Sequence, residues 1–186
     1  MLIVPYVPQI HENACGAAAF EMVFRYLRPD LTAVGPSLFF NNRETDPTGK
    51  TPFRMSSDSI VEAARSRGFF AGVGRVSQNH SRRYDQLSYF IDRCKVPIIA
   101  CQSASEQHPQ VGHFRVLTKV TLKEVTLHDP LQSRGGPDQI WSGSKMFKFW
   151  KFSGPNVTGG IAIWIANEQL RNDMLDPADP NLWAPT

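Results

Sequence analysis

The sequence predicts an α+β fold in which helices come first and an antiparallel sheet follows. Three observations lead there. Apolar residues at helical spacing concentrate in the first half of the chain, short β-branched runs between turn residues dominate the second half, and no regular strand–helix–strand alternation links them. With 41% hydrophobic and 20% charged residues the composition is that of a folded chain. Its 186 residues suit one domain, read here as residues 1–170, with an extended tail over 171–186 marked by Asp176-Pro177 and Asp179-Pro180.

The elements follow in order. Leu2 to Val7 is β-branched but broken by Pro5 and Pro8, which limits it to an edge or lead-in strand. From Ala19, the positions Met22, Val23, Tyr26 and Leu27 trace one buried helical stripe that Pro29 ends, placing Cys15 at or just before the first turn. Residues 35–57 are turn chemistry throughout and read as a long surface loop. A second helix runs from a cap at Ser57 or Asp58 to Arg67, stopped by Gly68, and a strand follows over Phe69–Val76. Leu87, Phe90, Ile91 and Cys94 give a third helical stripe, and Val96–Cys101 a buried strand. His113–Val120 and Val125–Asp129, separated by Thr121-Leu122-Lys123-Glu124, form a hairpin. A Gly/Pro loop over 131–139, a short helix or turn over Ser144–Trp150 and a last strand over Thr158–Ala166 complete the chain.

Charge and cysteine content narrow the function. The 20 Lys and Arg against 17 Asp and Glu leave a formal charge of +3, and the basic residues are dispersed in pairs such as Arg82-Arg83, which argues against nucleic acid. No apolar run reaches the roughly 18 to 20 residues of a membrane span, and the first residues lack the pattern of a signal peptide. A soluble, cytoplasmic protein is expected, with non-classical export and oligomeric state left open. Three cysteines, Cys15, Cys94 and Cys101, are an odd count, pointing to a reducing compartment or to a thiol kept free for chemistry.

Cys15 is that thiol. A cysteine attacks as its thiolate, which a helix N-terminus and a neighbouring imidazolium both favour. Gly16 and Ala17-Ala18-Ala19 keep bulk away from the helix mouth. Gln9, six residues upstream, is placed to donate to a developing oxyanion together with the Cys15 N–H. A hairpin turning at Thr121 pairs His113 with Asp129 on one face, where a carboxylate orients an imidazole base. His128 points to the other face. Cys94, Cys101, His108 and His113 do not have the spacing of a zinc module, and no metal or organic cofactor is implied. Cys94, Cys101 and the aromatic set Phe147, Phe149, Trp150, Phe152 and Trp164 read as core.

These residues resemble a family. Val4-Pro5-Tyr6-Val7-Pro8-Gln9, then Cys15-Gly16-Ala17-Ala18-Ala19, then Met22-Val23 and Tyr26, are similar to the opening of the bacteriocin-processing (double-glycine leader) cysteine peptidases, family 39 in the papain-like clan. Val96-Pro97-Ile98-Ile99-Ala100, Gly112-His113-Phe114-Arg115-Val116-Leu117, Asp129-Pro130 and Met146–Trp150 resemble its later segments, so the likeness covers roughly residues 3–165. It implies a papain-like fold, with an N-terminal helical part packed on a C-terminal antiparallel sheet. It also implies Cys15 as nucleophile, His113 as base, Asp129 as orienting residue and Gln9 as oxyanion donor. The expected activity is that of a stand-alone peptidase acting on a peptide or protein substrate, Gly-rich by analogy. Acyl transfer or deamidation by the same thiol, and peptide capture without turnover, are the alternatives.

Overall fold

The computed structural model describes residues 1–30, 54–77, 79–108, 111–150 and 160–168. Most of the predicted loop over 35–57 and the whole tail over 171–186 lie outside the described residues. Helix α1 spans Cys15–Leu27 and α2 Ser57–Arg65, β1 follows over Phe70–Arg75, and α3 runs over His80–Ser88 into a π-helical turn at Tyr89–Arg93. The remaining elements are β2 (Ile98–Ser103), β3 (Gly112–Val120), β4 (Glu124–His128), β5 (Gln139–Ser142), α4 (Gly143–Trp150) and β6 (Ile161–Ala166). The six strands form one sheet in the order β1-β6-β2-β3-β4-β5, every pair antiparallel. The last strand therefore enters the middle of the sheet rather than adding to an edge.

Helices cover both faces. Ile99, Cys101, Phe114, Val116, Ile163 and Ile165 pack with α1 and α2, whereas Ile98, Ala100, Leu117, Leu127 and Ala162 pack with the α3 segment and α4. This is period-two alternation in strands buried on both sides. The α1 prediction holds in position but not in exposure. In place of one stripe, every residue from Cys15 to Phe24 is buried. The alanines allow it, since a helix lined by Ala17, Ala18 and Ala19 can sit deep without displacing neighbours. Gly16 marks the closest approach: a Cβ there would lie 3.1 Å from the Met55 Cβ and 3.2 Å from the Phe114 ring.

Helices α2 and α3 start at side-chain caps. The Ser56 side chain accepts from the Ser59 N–H at 3.0 Å, and Asn79 accepts from Arg82 at 3.1 Å. The predicted third helix begins earlier than its apolar stripe because of the Asn79 cap. The strand β5 was hidden by the Gly/Pro loop before it, and of its four residues only Trp141 is buried. The N-terminal segment stays extended rather than joining the sheet, as Pro5 and Pro8 require. It is held instead along the hairpin: Leu2 N–H to Thr118 O at 2.8 Å, His128 Nε2 to Val4 O at 2.9 Å and Gln9 N–H to Pro130 O at 2.9 Å. Among the described residues no helix is long and apolar enough to cross a membrane.

Candidate active site

A turn and an uncapped helix start deliver the thiol. Asn13, in the left-handed region at φ 69°, reverses the chain between the Gln9 segment and α1, a conformation asparagine tolerates better than most residues. Ala14 precedes the helix with no side-chain cap, so the side chain at the cap position does not take up the first-turn N–H groups around Cys15. Those groups carry the positive end of the helix dipole, which favours an anion at the Cys15 sulfur or at an oxygen bound beside it.

The hairpin delivers the imidazole and the carboxylate, though not by the predicted register. Thr121 N–H donates to Glu124 O at 2.8 Å, so the turn centres between Leu122 and Lys123 rather than on Thr121. That displacement alone shifts the pairing by three residues, which would send His113 and Asp129 to opposite faces. A bulge between Leu117 and Lys119 removes one of the three. Beyond it Val116 faces His128, so Asp129, just past β4, falls opposite Arg115 with His113 as its diagonal neighbour on the same face. An even shift preserves the face, and the two side chains meet: His113 Nε2 lies 2.7 Å from Asp129 Oδ1.

The other ring nitrogen, Nδ1, is left for Cys15, whose thiol hydrogen-bonds with the His113 ring. Burial opposes the Cys15 thiolate. The adjacent His113 charge, the bond to its ring and the N–H groups of Phe114 and Gly16 outweigh that burial and hold the thiol below its ordinary value. Burial likewise opposes the imidazolium, yet the Cys15 charge and the bond to Asp129 raise His113 above its ordinary value, with Arg115 working against them. Both shifts favour a thiolate beside an imidazolium. Asp129 is fully buried and would resist ionising for that reason, but His113, Arg115 and the Leu131 N–H at 2.9 Å pull it below the usual carboxylate range.

Arg115 is the residue sequence reasoning passed over. Only 1% exposed, it donates from Nε to Asp129 Oδ2 at 2.8 Å, from Nη1 to Ser103 O at 3.1 Å and from Nη2 to Ala104 O at 3.2 Å. The signal was present: an arginine two residues from His113, hence on the same face, between the apolar Phe114 and Val116. Tyr6 adds a bond from its hydroxyl to the Asp129 backbone oxygen at 3.1 Å.

The remaining expectations sort clearly. Gln9 is anchored one residue beyond Asp129 by its bond to Pro130 O, and its Nε2 donates to His11 O at 3.1 Å. His128 is structural: it receives the Asp138 N–H on Nδ1 at 3.0 Å and donates from Nε2 to Val4 O. All three cysteines are free. Cys94 is buried in the core on the α3 side, and Cys101, close enough to feel the Cys15 charge, is pushed up to about 12 by burial and by that charge. Of the aromatic set, Phe149 and Trp150 are buried, Phe147 and Trp164 are partly buried, and Phe152 lies outside the described residues.

A family model for Peptidase C39-like proteins matches residues 1–154, a span containing Gln9, Cys15, His113 and Asp129. The chain belongs to the Peptidase C39-like family. It is thus a cysteine-type peptidase, a hydrolase, by family. Similar solved structures include a double-glycine-motif protease from an AMS/PCAT transporter in complex with the leader peptide, at 20% identity and TM-score 0.60, covering 88% of this chain and 91% of that one. The peptidase domain of Streptococcus ComA, a bifunctional ABC transporter of a quorum-sensing pathway, matches at 17% identity and TM-score 0.58, covering 88% and 98%. The Streptococcus mutans ComA peptidase domain with a small-molecule inhibitor matches at 21% and 0.54, covering 87% and 98%. These C39 peptidase domains share the papain-like fold with this chain. No curated protein matches the sequence.

Proposed function

We propose that this C39-like chain hydrolyses peptide bonds with Cys15 as nucleophile, His113 as acid and base, and Asp129 as the residue that orients His113. The unbroken hydrogen-bonded chain from Cys15 through His113 to Asp129 supports this reading most directly. The Cys15 sulfur attacks the scissile carbonyl carbon, and His113 gives its proton to the leaving amine as the carbon–nitrogen bond breaks. His113 then takes a proton from water, whose oxygen attacks the thioester and releases the thiol. Asp129 keeps the Nδ1 edge of the ring toward the thiol and stabilises the charged ring. The substrate in this reading is a peptide, taken as Gly-rich at the cleavage site from the likeness to the double-glycine peptidases. Three free thiols suit a reducing compartment, and we place the protein in the cytoplasm.

Iodoacetamide labelling tests the ion pair. The lowered Cys15 value and the raised His113 value both favour a thiolate beside an imidazolium, so labelling should already be fast below the ordinary thiol titration. His113→Ala should move that acid limb up toward the ordinary cysteine range. Cys94 and Cys101 should label slowly in both proteins. Equal rates for all three thiols would sink the activated nucleophile.

Gln9 contributes to the oxyanion hole in this reading. An amide nitrogen carries two N–H donors, and with one on His11 O the other remains for the substrate oxygen beside the Cys15 N–H. Gln9→Ala is expected to lower kcat by about 10²–10³ with KM little changed. A rise in KM at constant kcat would assign Gln9 to binding instead.

A further inference from the structure

Asp129 and Arg115 form part of the wall of an open cavity of about 500 Å³ that neither Cys15, His113 nor Gln9 lines. The proposed hydrolysis makes no use of this space. Its lining is unbalanced in charge. Arg115, Arg134 and Lys145 contribute three permanent cations, against two carboxylates, Asp129 and Glu106. Asp129 is committed to His113 and Arg115, and Glu106 pairs with Lys148 at 2.9 Å.

Among the described residues that leaves two cations of the cavity wall without an anion. Arg134 donates from Nη1 to the Ala104 carbonyl, the same oxygen that Arg115 uses. The Lys145 ammonium sits 4.2 Å from the Trp141 ring centre, on which the Arg115 guanidinium also stacks at 4.8 Å. Among the described residues, neither Arg134 nor Lys145 has a carboxylate within ion-pair distance. Arg134 is near enough to repel the Arg115 charge. Like charges gathered around a concave surface raise the free energy of the empty site, and an oxyanion bridging them lowers it. The guanidinium fork and the mobile ammonium supply the two kinds of donor that a carboxylate accepts best.

We propose that this cavity is a carboxylate-binding site, filled by an acidic group of a peptide that binds next to the catalytic residues. Binding itself does not depend on turnover; only the role as a substrate subsite rests on the peptidase reading. Because Arg115 is shared between the cavity and Asp129, an occupant also touches the residue that holds the carboxylate beside His113.

The experiment uses Cys15→Ala protein, so that a negative result here and a failure of the hydrolytic reading remain separate. The Trp141 indole N–H resonance, assigned with Trp141→Phe, is followed while N-acetylglutamate α-amide or N-acetylglutamine α-amide is added at constant ionic strength. The glutamate compound should give a saturable shift, at least tenfold tighter than the glutamine compound, and inorganic phosphate should compete with it. The Arg134→Gln/Lys145→Gln double variant, with its fold verified by circular dichroism, should weaken that binding at least tenfold. In protein that retains Cys15, the same double variant should raise KM for glutamate-bearing peptides and spare their glutamine counterparts. Equal binding of the two amides, or binding indifferent to the double variant, would overturn the site. A KM that does not distinguish the peptides would overturn the subsite role.

Discussion

Cys15→Ala should reduce peptide hydrolysis by about 10⁴-fold or more while leaving the fold in place, because in the proposed reaction it removes the atom that forms the acyl intermediate. The effect is expected in kcat, not KM, since the sulfur bonds covalently only after the substrate is seated. Stability should change little. The side chain is small, and losing the thiol removes only some of the influences that raise His113, the bond to Asp129 remaining. A peptide library treated with the wild type and with Cys15→Ala reads both the activity and the cleavage preference. Cleavage by the wild type that persists in the variant would assign the activity to another group. His113→Ala should approach the same loss, because members of one catalytic unit are not additive.

Much of this site was legible because it rests on local rules. A small-residue run after a cysteine at a helix start, a glutamine just upstream and a histidine on a hairpin strand are visible without coordinates. The hairpin register was not. Its turn sits one and a half positions beyond Thr121, and only the bulge near Thr118 restores the face on which His113 and Asp129 meet. A bulge is set by competition between turn geometry and core packing on both faces of β3, which no pattern of residues along one strand discloses. The same holds for the burial of α1 on all sides, which depends on how closely Gly16 and the alanines approach Phe114. Arg115 was missed for the opposite reason. Charge in an apolar strand reads as a solvated position until the burial of the strand is known.

The largest effect on stability is expected at Arg115. Arg115→Met fills much of the same volume but leaves Asp129 fully buried with the His113 ring and the Leu131 N–H as its remaining side-chain partners, and strands the carbonyls of Ser103 and Ala104. Removing one partner of a buried ion pair costs about 3–5 kcal/mol, a fall in Tm of about 10 °C for a domain of this size. The pH dependence distinguishes positioning from packing alone. Asp129 is held below its unfolded value, so the stability it contributes is present above the ordinary carboxylate titration and is lost as pH falls through its folded value. Without Arg115 that folded value rises, and acid unfolding should begin at higher pH. Arg115 also opposes the His113 charge, so in Arg115→Met the imidazolium should persist to higher pH and the basic limb of the pH–kcat profile should move up with it. Arg115→Lys restores the charge without the fork that spans Asp129, Ser103 and Ala104, and should recover the pH limbs more fully than the Tm. Loss of stability in Arg115→Met with both limbs unmoved would reduce Arg115 to a packing residue.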